Sequence, residues 1–173
     1  MRLYDLRTEY RVNPVGLTAE APRFSWKMES QEKDTLQTAY EIHVTDENGK
    51  LVWNSGKKVT DQSVLIPYEG EALASETLYT VQVSVADNHG NTESVEGTFE
   101  TGIFDNTEFK AQMITGDFPE EETACPVFGK TFVLDKKVKK ARLYATAHGV
   151  YEVTLNGQTV GDCRMAPGWT SYH

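Results

Sequence analysis

The chain has 173 residues, and 17 Lys plus Arg against 26 Asp plus Glu leave a formal net charge of −9. Nucleic acids and anionic membranes bind proteins through clustered positive charge, so this balance argues against both as partners. Apolar residues make up 39% of the chain. None of its apolar runs approaches the roughly 20 residues that a membrane-spanning helix needs.

Short runs in which apolar and polar residues alternate recur along the chain, separated by turn sequences. This period-two pattern, with almost no helix signals, predicts an all-β fold. The first clear run covers 23–28. There Phe24, Trp26 and Met28 share the face that we expect to point inward.

A hairpin is predicted next. Its strands are 40–45 and 51–53, and Asn48-Gly49 in the connecting turn is expected to supply positive φ angles. A short strand at 64–66 follows and stops at Pro67.

The strongest strand signal covers 79–85, with one face made of Tyr79, Val81, Val83 and Val85. A turn at 87–91 leads to a last strand that ends in 98–102. Six or seven short strands in about 100 residues predict an antiparallel sandwich of the immunoglobulin-like or fibronectin-III-like kind. We assign residues 1–103 to this domain.

Leu73 and Tyr79 carry a more specific signal within this domain. They are six residues apart, and Tyr79 begins the strongest strand. This spacing is similar to a tyrosine corner, in which a phenol hydroxyl bonds back to the chain just upstream. Such a corner serves folding and carries no chemistry.

A second unit, residues 104–173, is predicted to be a truncated β-sandwich of jelly-roll-like type. Alternation predicts four strands, and Asn156-Gly157 is the strongest hairpin signal in the chain. A closed sandwich needs more chain than this, so unpaired strand edges are expected to favour homodimerisation or to leave the unit marginally stable. The predicted strands are 128–134, 141–147, 150–155 and 158–160.

Ten stretches, listed below, resemble the N-terminal portion of bacterial α-L-rhamnosidases of the glycoside hydrolase family 78 type. The first five match the segment that precedes that family's N-terminal β-sandwich domain, and the other five match that domain in order and spacing. The resemblance covers nearly the whole chain. The stretches are 13–17, 22–26, 39–42, 52–56 and 99–102, then 141–144, 149–152, 155–157, 160–161 and 166–172.

The resemblance implies a parent enzyme that hydrolyses terminal α-L-rhamnosyl bonds with inversion of configuration. In this family the catalytic acid and base lie in a downstream (α/α) toroid, which has no counterpart here. We therefore expect a non-catalytic accessory or structural region, whose partner is the catalytic domain of the same polypeptide. Two alternatives stay open: a carbohydrate-binding module that directs an enzyme to rhamnose-containing glycans, and a surface adhesion array.

No catalytic residue is predicted. The run Glu120-Glu121-Glu122 and the strand residue Glu152 are interpreted as solvated. Trp26 and Trp53 lie within strand patterns and are expected in the core.

Trp169 and Tyr172 are the candidate contact residues. They lie in a segment outside regular alternation that contains Pro and Gly. Their rings could cover the core, contact a downstream domain or stack on a sugar, in that order of preference.

No metal site and no cofactor are expected. The four histidines share no ligand-like spacing with each other or with the cysteines. Cys125 and Cys163 are interpreted as free thiols. The N-terminus lacks a secretory signal pattern, so we expect a cytoplasmic protein, or a secreted or surface protein whose signal was removed.

Overall fold

The computed structural model of the chain describes residues 1–119 and 125–168. Contacts divide the chain into two compact units, Met1–Lys110 and Ala111–His173. The protein is all-β, as predicted. The one helical element within these described ranges is a single 3₁₀ turn at Asn106–Glu108, which is capped by the Asp105 side chain. No helix in the described ranges is long and apolar enough to cross a membrane.

The first unit is an immunoglobulin-like sandwich of two sheets. One sheet has three strands in the order β1-β3-β6, and the other has five in the order β2-β8-β7-β4-β5. All pairings are antiparallel except that of β2 with β8. The strands are β1 Arg2–Thr8, β2 Val15–Leu17, β3 Arg23–Glu29, β4 Gln37–Asp46, β5 Leu51–Asn54, β6 Ile66–Pro67, β7 Leu78–Asp87 and β8 Thr92–Thr101.

The core lies between the two sheets. The predicted inward face of β7 is confirmed, because its four alternating residues from Tyr79 to Val85 are all buried. On β3, Phe24 and Trp26 are buried as predicted, while Met28 is half-buried at the margin of the core. The Phe24 ring lies 6.1 Å from Trp53 and 5.9 Å from Phe99, so it contacts the five-stranded sheet at two strands.

Two Asp-x-x-Gly turns close the hairpins of the five-stranded sheet. Oδ1 of Asp46 accepts hydrogen bonds from the N–H groups two and four residues later, and Oδ1 of Asp87 does the same in its own turn. Gly49 and Gly90 supply the positive φ that each turn requires. The prediction that Asn48 also has positive φ is wrong. The Asn48 N–H donates to the Asp46 side chain, which holds Asn48 at a negative φ.

Two strands were missed by the pattern. In β1, Asp5 has a φ of 52° and the pairing register with β3 shifts between Tyr4 and Arg7. This bulge places Leu3 and Leu6 in the core although they are three residues apart, which hides the period of two. The three-residue strand β2 is too short to show alternation.

The second unit contains two antiparallel pairs, β10 with β11 and β9 with β12. The Asn156-Gly157 hairpin is confirmed, and both residues have positive φ. The predicted strand 150–155 is divided into two short strands. The bounds are β9 Val150–Tyr151, β10 Thr154–Leu155, β11 Gln158–Thr159 and β12 Ala166–Pro167.

The strands predicted at 128–134 and 141–147 are wrong, because the structure assigns neither segment to a strand. A strand needs a hydrogen-bonding neighbour and a covered apolar face. Neither segment pairs with a described strand, and Phe132, Val133, Leu134 and Leu143 are exposed. Alternation of apolar and polar residues indicates that a segment can form a strand, but it does not show that a neighbouring strand is there to pair with it.

The predicted tyrosine corner is confirmed. The Tyr79 hydroxyl accepts a hydrogen bond of 2.9 Å from the Ala74 N–H, and Leu73 beside it is buried. The Thr101 hydroxyl donates to the Ala74 carbonyl at 2.7 Å and accepts from the Thr77 N–H at 2.9 Å. The segment before β7 is therefore fixed to β7 and to the end of β8.

We expect Tyr79→Phe to lower the free energy of unfolding by about 1 kcal/mol, because the Ala74 N–H loses its acceptor in the fold. Urea unfolding followed by tryptophan fluorescence measures this change. Tyr4→Phe is the matched control, since Tyr4 is half-buried and its hydroxyl makes no hydrogen bond to a described residue. An equal loss in both variants would contradict a specific role for the corner.

Candidate functional site

The predicted contact residues Trp169 and Tyr172 lie outside the described residues, as does the acidic run 120–122. Trp26 and Trp53 are buried in the core, as predicted. Glu152 is exposed, as predicted for a surface residue.

Two carboxyl groups, one in β1 and one just after it, form ion pairs. Asp5 contacts Lys27 at 2.8 Å and Arg7 at 2.9 Å, and Glu9 pairs with Arg23 through both of its oxygens. Hydrogen bonds from Lys27, and next from Arg7, lower the pKa of Asp5, and the bond from Arg23 lowers the pKa of Glu9. The Arg23 pKa is raised in turn.

Two further aspartates accept hydrogen bonds from backbone N–H groups. Burial tends to raise the pKa of Asp87, but hydrogen bonds from Asn91 and His89 outweigh it and the pKa falls. The Thr107 N–H lowers the pKa of Asp105. A catalytic acid needs a raised pKa, whereas every resolved carboxyl shift in the described chain is downward.

Metal ligands do not cluster in the part of the chain that the structure describes. No three His, Cys, Asp or Glu side chains there are placed to hold an ion. Cys125 and Cys163 are free and exposed.

A cleft of about 490 Å³ lies between β5 and β6, which are edge strands of opposite sheets. We call it the edge cleft. Aromatic side chains contribute to its floor and charged or amide side chains to its rim. The residues that matter below are Tyr40, Trp53, Lys57, Lys58, Gln62 and Glu69.

Tyr40 and Trp53 each present a polar atom to the edge cleft. Both residues are only 7% exposed, and their rings pack against Trp26, Phe24 and Tyr68. The Tyr40 hydroxyl and the Trp53 indole N–H bond to no described residue, yet the described fold leaves no fully buried side-chain polar atom unpaired. Both atoms therefore reach solvent, and the cleft is the opening that both residues line. Burial, and next the charge of Glu69, raise the pKa of Tyr40.

Buried Gln37 anchors one wall of the edge cleft. Its Oε1 accepts from the Trp26 indole N–H at 3.0 Å, and its Nε2 donates to the carbonyls of Thr60 and Gln62 at 3.2 and 2.8 Å. Paired backbone bonds of 2.9 and 2.8 Å join Tyr40 to Lys58 at the other end. Buried hydrogen bonds thus fix the loop that carries the rim.

The second unit has a hollow of about 830 Å³ near β9. Its lining includes His148, Glu152 and Cys125 beside exposed Phe128.

Two family models match the chain. The model described as the Rha78A-like N-terminal immunoglobulin domain matches residues 3–105. The model of the α-L-rhamnosidase N-terminal domain matches residues 136–173. The chain belongs to the α-L-rhamnosidase family. It corresponds to the N-terminal region of such a protein.

Curated α-L-rhamnosidases are similar over most of the chain. One from Formosa agariphila is 34% identical over 92% of the chain, and one from Streptomyces avermitilis is 32% identical over 92%. The chain spans 19% and 18% of these two relatives.

Solved α-L-rhamnosidases share the fold. The native Aspergillus terreus structure matches with a TM-score of 0.78 and 28% identity over 98% of the chain and 20% of its own. The Streptomyces avermitilis structure, complexed with L-rhamnose, matches with a TM-score of 0.60 and 36% identity over 64% of the chain and 11% of its own.

The edge cleft of this α-L-rhamnosidase region was missed at the level of sequence. Tyr40 and Trp53 alternate with polar residues and therefore resemble ordinary core positions. Only the packing shows that their polar tips stay open. The adjacent pair Lys57-Lys58, just after the predicted hairpin, was the available signal.

We expect Gln37→Leu to lower the free energy of unfolding by about 2 kcal/mol, because the buried Trp26 indole N–H loses its acceptor. Urea denaturation measures the change. Gln82→Leu, at an exposed position on β7, is the matched control and should stay within about 0.5 kcal/mol of the parent. Equal stability of the Gln37 variant and the parent would show that the anchor is dispensable.

The Glu9–Arg23 pair predicts a pH dependence of stability. Because the folded pKa of Glu9 lies below its ordinary value of 4.5, its contribution is complete above that pH and is lost as the pH falls below it. Glu9→Gln should be less stable than the parent at neutral pH and should lose less stability between about pH 5 and about pH 3. Chemical denaturation across this range tests the difference, with exposed Glu20→Gln as the control. Parallel curves for Glu9→Gln and the parent would contradict the assignment.

Proposed function

We propose that this chain is a non-catalytic supporting region of an α-L-rhamnosidase. The full-length enzyme would hydrolyse terminal α-L-rhamnosyl residues with inversion, using an acid and a base carried by a downstream toroidal domain. The observation that carries the proposal is how much of each protein is matched: relatives match 92–93% of the chain, and this matched region is about a fifth of their own length. The partner of the region is then the catalytic domain of the same polypeptide.

The state of the carboxyl groups supports this division of labour. An inverting glycosidase holds two carboxyl groups roughly 6.5–9.5 Å apart, one protonated and one ionised with room for a water. Asp5 and Glu9 instead form ion pairs with Lys and Arg side chains. Asp87 and Asp105 accept hydrogen bonds from backbone N–H groups. Each contact favours the ionised form, so none of these groups is poised to protonate a leaving oxygen.

The fold suits a supporting role. The tyrosine corner and the Gln37 anchor fix loops at two places on the sandwich, so that its surface keeps one shape. A rigid module can orient a neighbouring domain with less loss of conformational entropy at the contact.

The isolated chain should release no 4-nitrophenol from 4-nitrophenyl α-L-rhamnopyranoside above the buffer rate. The full-length protein, prepared in parallel, should hydrolyse this substrate. Absorbance at alkaline pH measures the product, and heat-treated samples of both proteins are the controls. Release by the isolated chain that persists through repurification and is abolished by heat would overturn the proposal. An inactive full-length protein would overturn the assigned activity.

A further inference from the structure

We propose that the edge cleft binds a saccharide carrying a carboxylate, such as a uronate residue. The choice of a saccharide rests on the proposed function. The choice of an acidic one rests on the chemistry of the cleft. It lies on the immunoglobulin-like unit, whereas the predicted contact residues Trp169 and Tyr172 belong to the second unit in sequence.

Hydrogen-bond donors dominate the edge cleft. The ammonium groups of Lys57 and Lys58 make no ion pair with any described carboxylate, although the chain has a net charge of −9. The Trp53 indole N–H adds a donor that cannot accept, and the Tyr40 hydroxyl can also donate. Such a set favours a ligand rich in acceptors, and a carboxylate is the acceptor that ammonium groups bind most strongly.

Glu69 supplies the complementary acceptor. Its carboxylate lies in the same cleft and acts on the Tyr40 hydroxyl, so a ligand there meets two cations and one anion. A simple anion would be repelled by Glu69, whereas sugar hydroxyls can donate to it. A uronate offers both a carboxylate and hydroxyl donors on one small ring. The volume of about 490 Å³ falls within the range of small-molecule sites.

The edge cleft is built before a ligand arrives. The Tyr40 and Trp53 rings are held by aromatic contacts with centroids 5.3 and 5.2 Å apart, to Trp26 and Tyr68 respectively. Gln37 holds the facing loop by two hydrogen bonds. Polar atoms that are fixed in advance bind with less loss of side-chain entropy.

Methyl β-D-glucuronide and methyl β-D-glucoside test the proposal, because they differ at the carboxylate alone. Titration calorimetry with the 173-residue chain should give saturable binding of the glucuronide and about tenfold weaker binding of the glucoside. The glucuronide affinity should fall as salt is raised from about 20 to about 200 mM. Acetate, L-rhamnose and methyl α-L-rhamnoside complete the set.

Variants locate the site. The double variant Lys57→Ala/Lys58→Ala should bind the glucuronide about tenfold more weakly, and Tyr40→Phe a few-fold more weakly, with unchanged circular dichroism. Lys33→Ala is the matched control, since this lysine is exposed, does not line the cleft and has no described ion pair. Its affinity should equal that of the parent.

The proposal is overturned by an absence of saturable glucuronide binding, by equal binding of the glucoside, or by equal losses in the Lys33 and the double variants. Binding of acetate as tight as that of the glucuronide would show a simple anion site. Preferential binding of the rhamnosides would replace the acidic ligand with a neutral one and support the carbohydrate-binding alternative. None of these results changes the expected inactivity of the chain or the activity of the full-length protein, so the two proposals fail separately.

Discussion

The contact of Phe24 with the opposite sheet is the interaction on which the rest of the first unit depends. This ring is fully buried and contacts Trp53 and Phe99 in the five-stranded sheet. Trp53 is on β5, the strand at one edge of that sheet, and Phe99 is on β8, which lies next to the strand at the other edge. The aromatic contacts continue to Tyr68 and Tyr79. Burial of this much aromatic surface supplies the main driving force, and directional contacts add to it.

Hydrogen bonds from polar side chains then fix the positions of the loops around this apolar core. Tyr79 fixes the segment before β7, Gln37 fixes the loop 60–62, and Asp46 and Asp87 shape the two hairpin turns. Each side chain pairs with backbone groups that the sheets leave unsatisfied. The carboxylates of Asp46 and Asp87 thus act as acceptors for backbone N–H groups in the turns.

The sandwich, its strongest strands and the tyrosine corner could be predicted from the sequence, because burial on one face imposes a period of two. Prediction failed where a bulge displaced this alternation or where an alternating segment had no strand to pair with. The bulge at Asp5 displaced the alternation of β1, and the segments 128–134 and 141–147 have the pattern of strands but no described partner. The edge cleft could not be predicted, since the opening beside Tyr40 and Trp53 is set by the separation of two edge strands that are distant in sequence.

The parallel pairing of β2 with β8 sets an order on how the sandwich forms. Val15 is aligned with Glu100 and Leu17 with Thr101, and the Asn13 side chain accepts from the Thr98 N–H. During synthesis, β2 leaves the ribosome long before its neighbour exists, whereas β1 can pair with β3 early. Closure of this edge therefore has to wait until almost the whole of the first unit has left the ribosome.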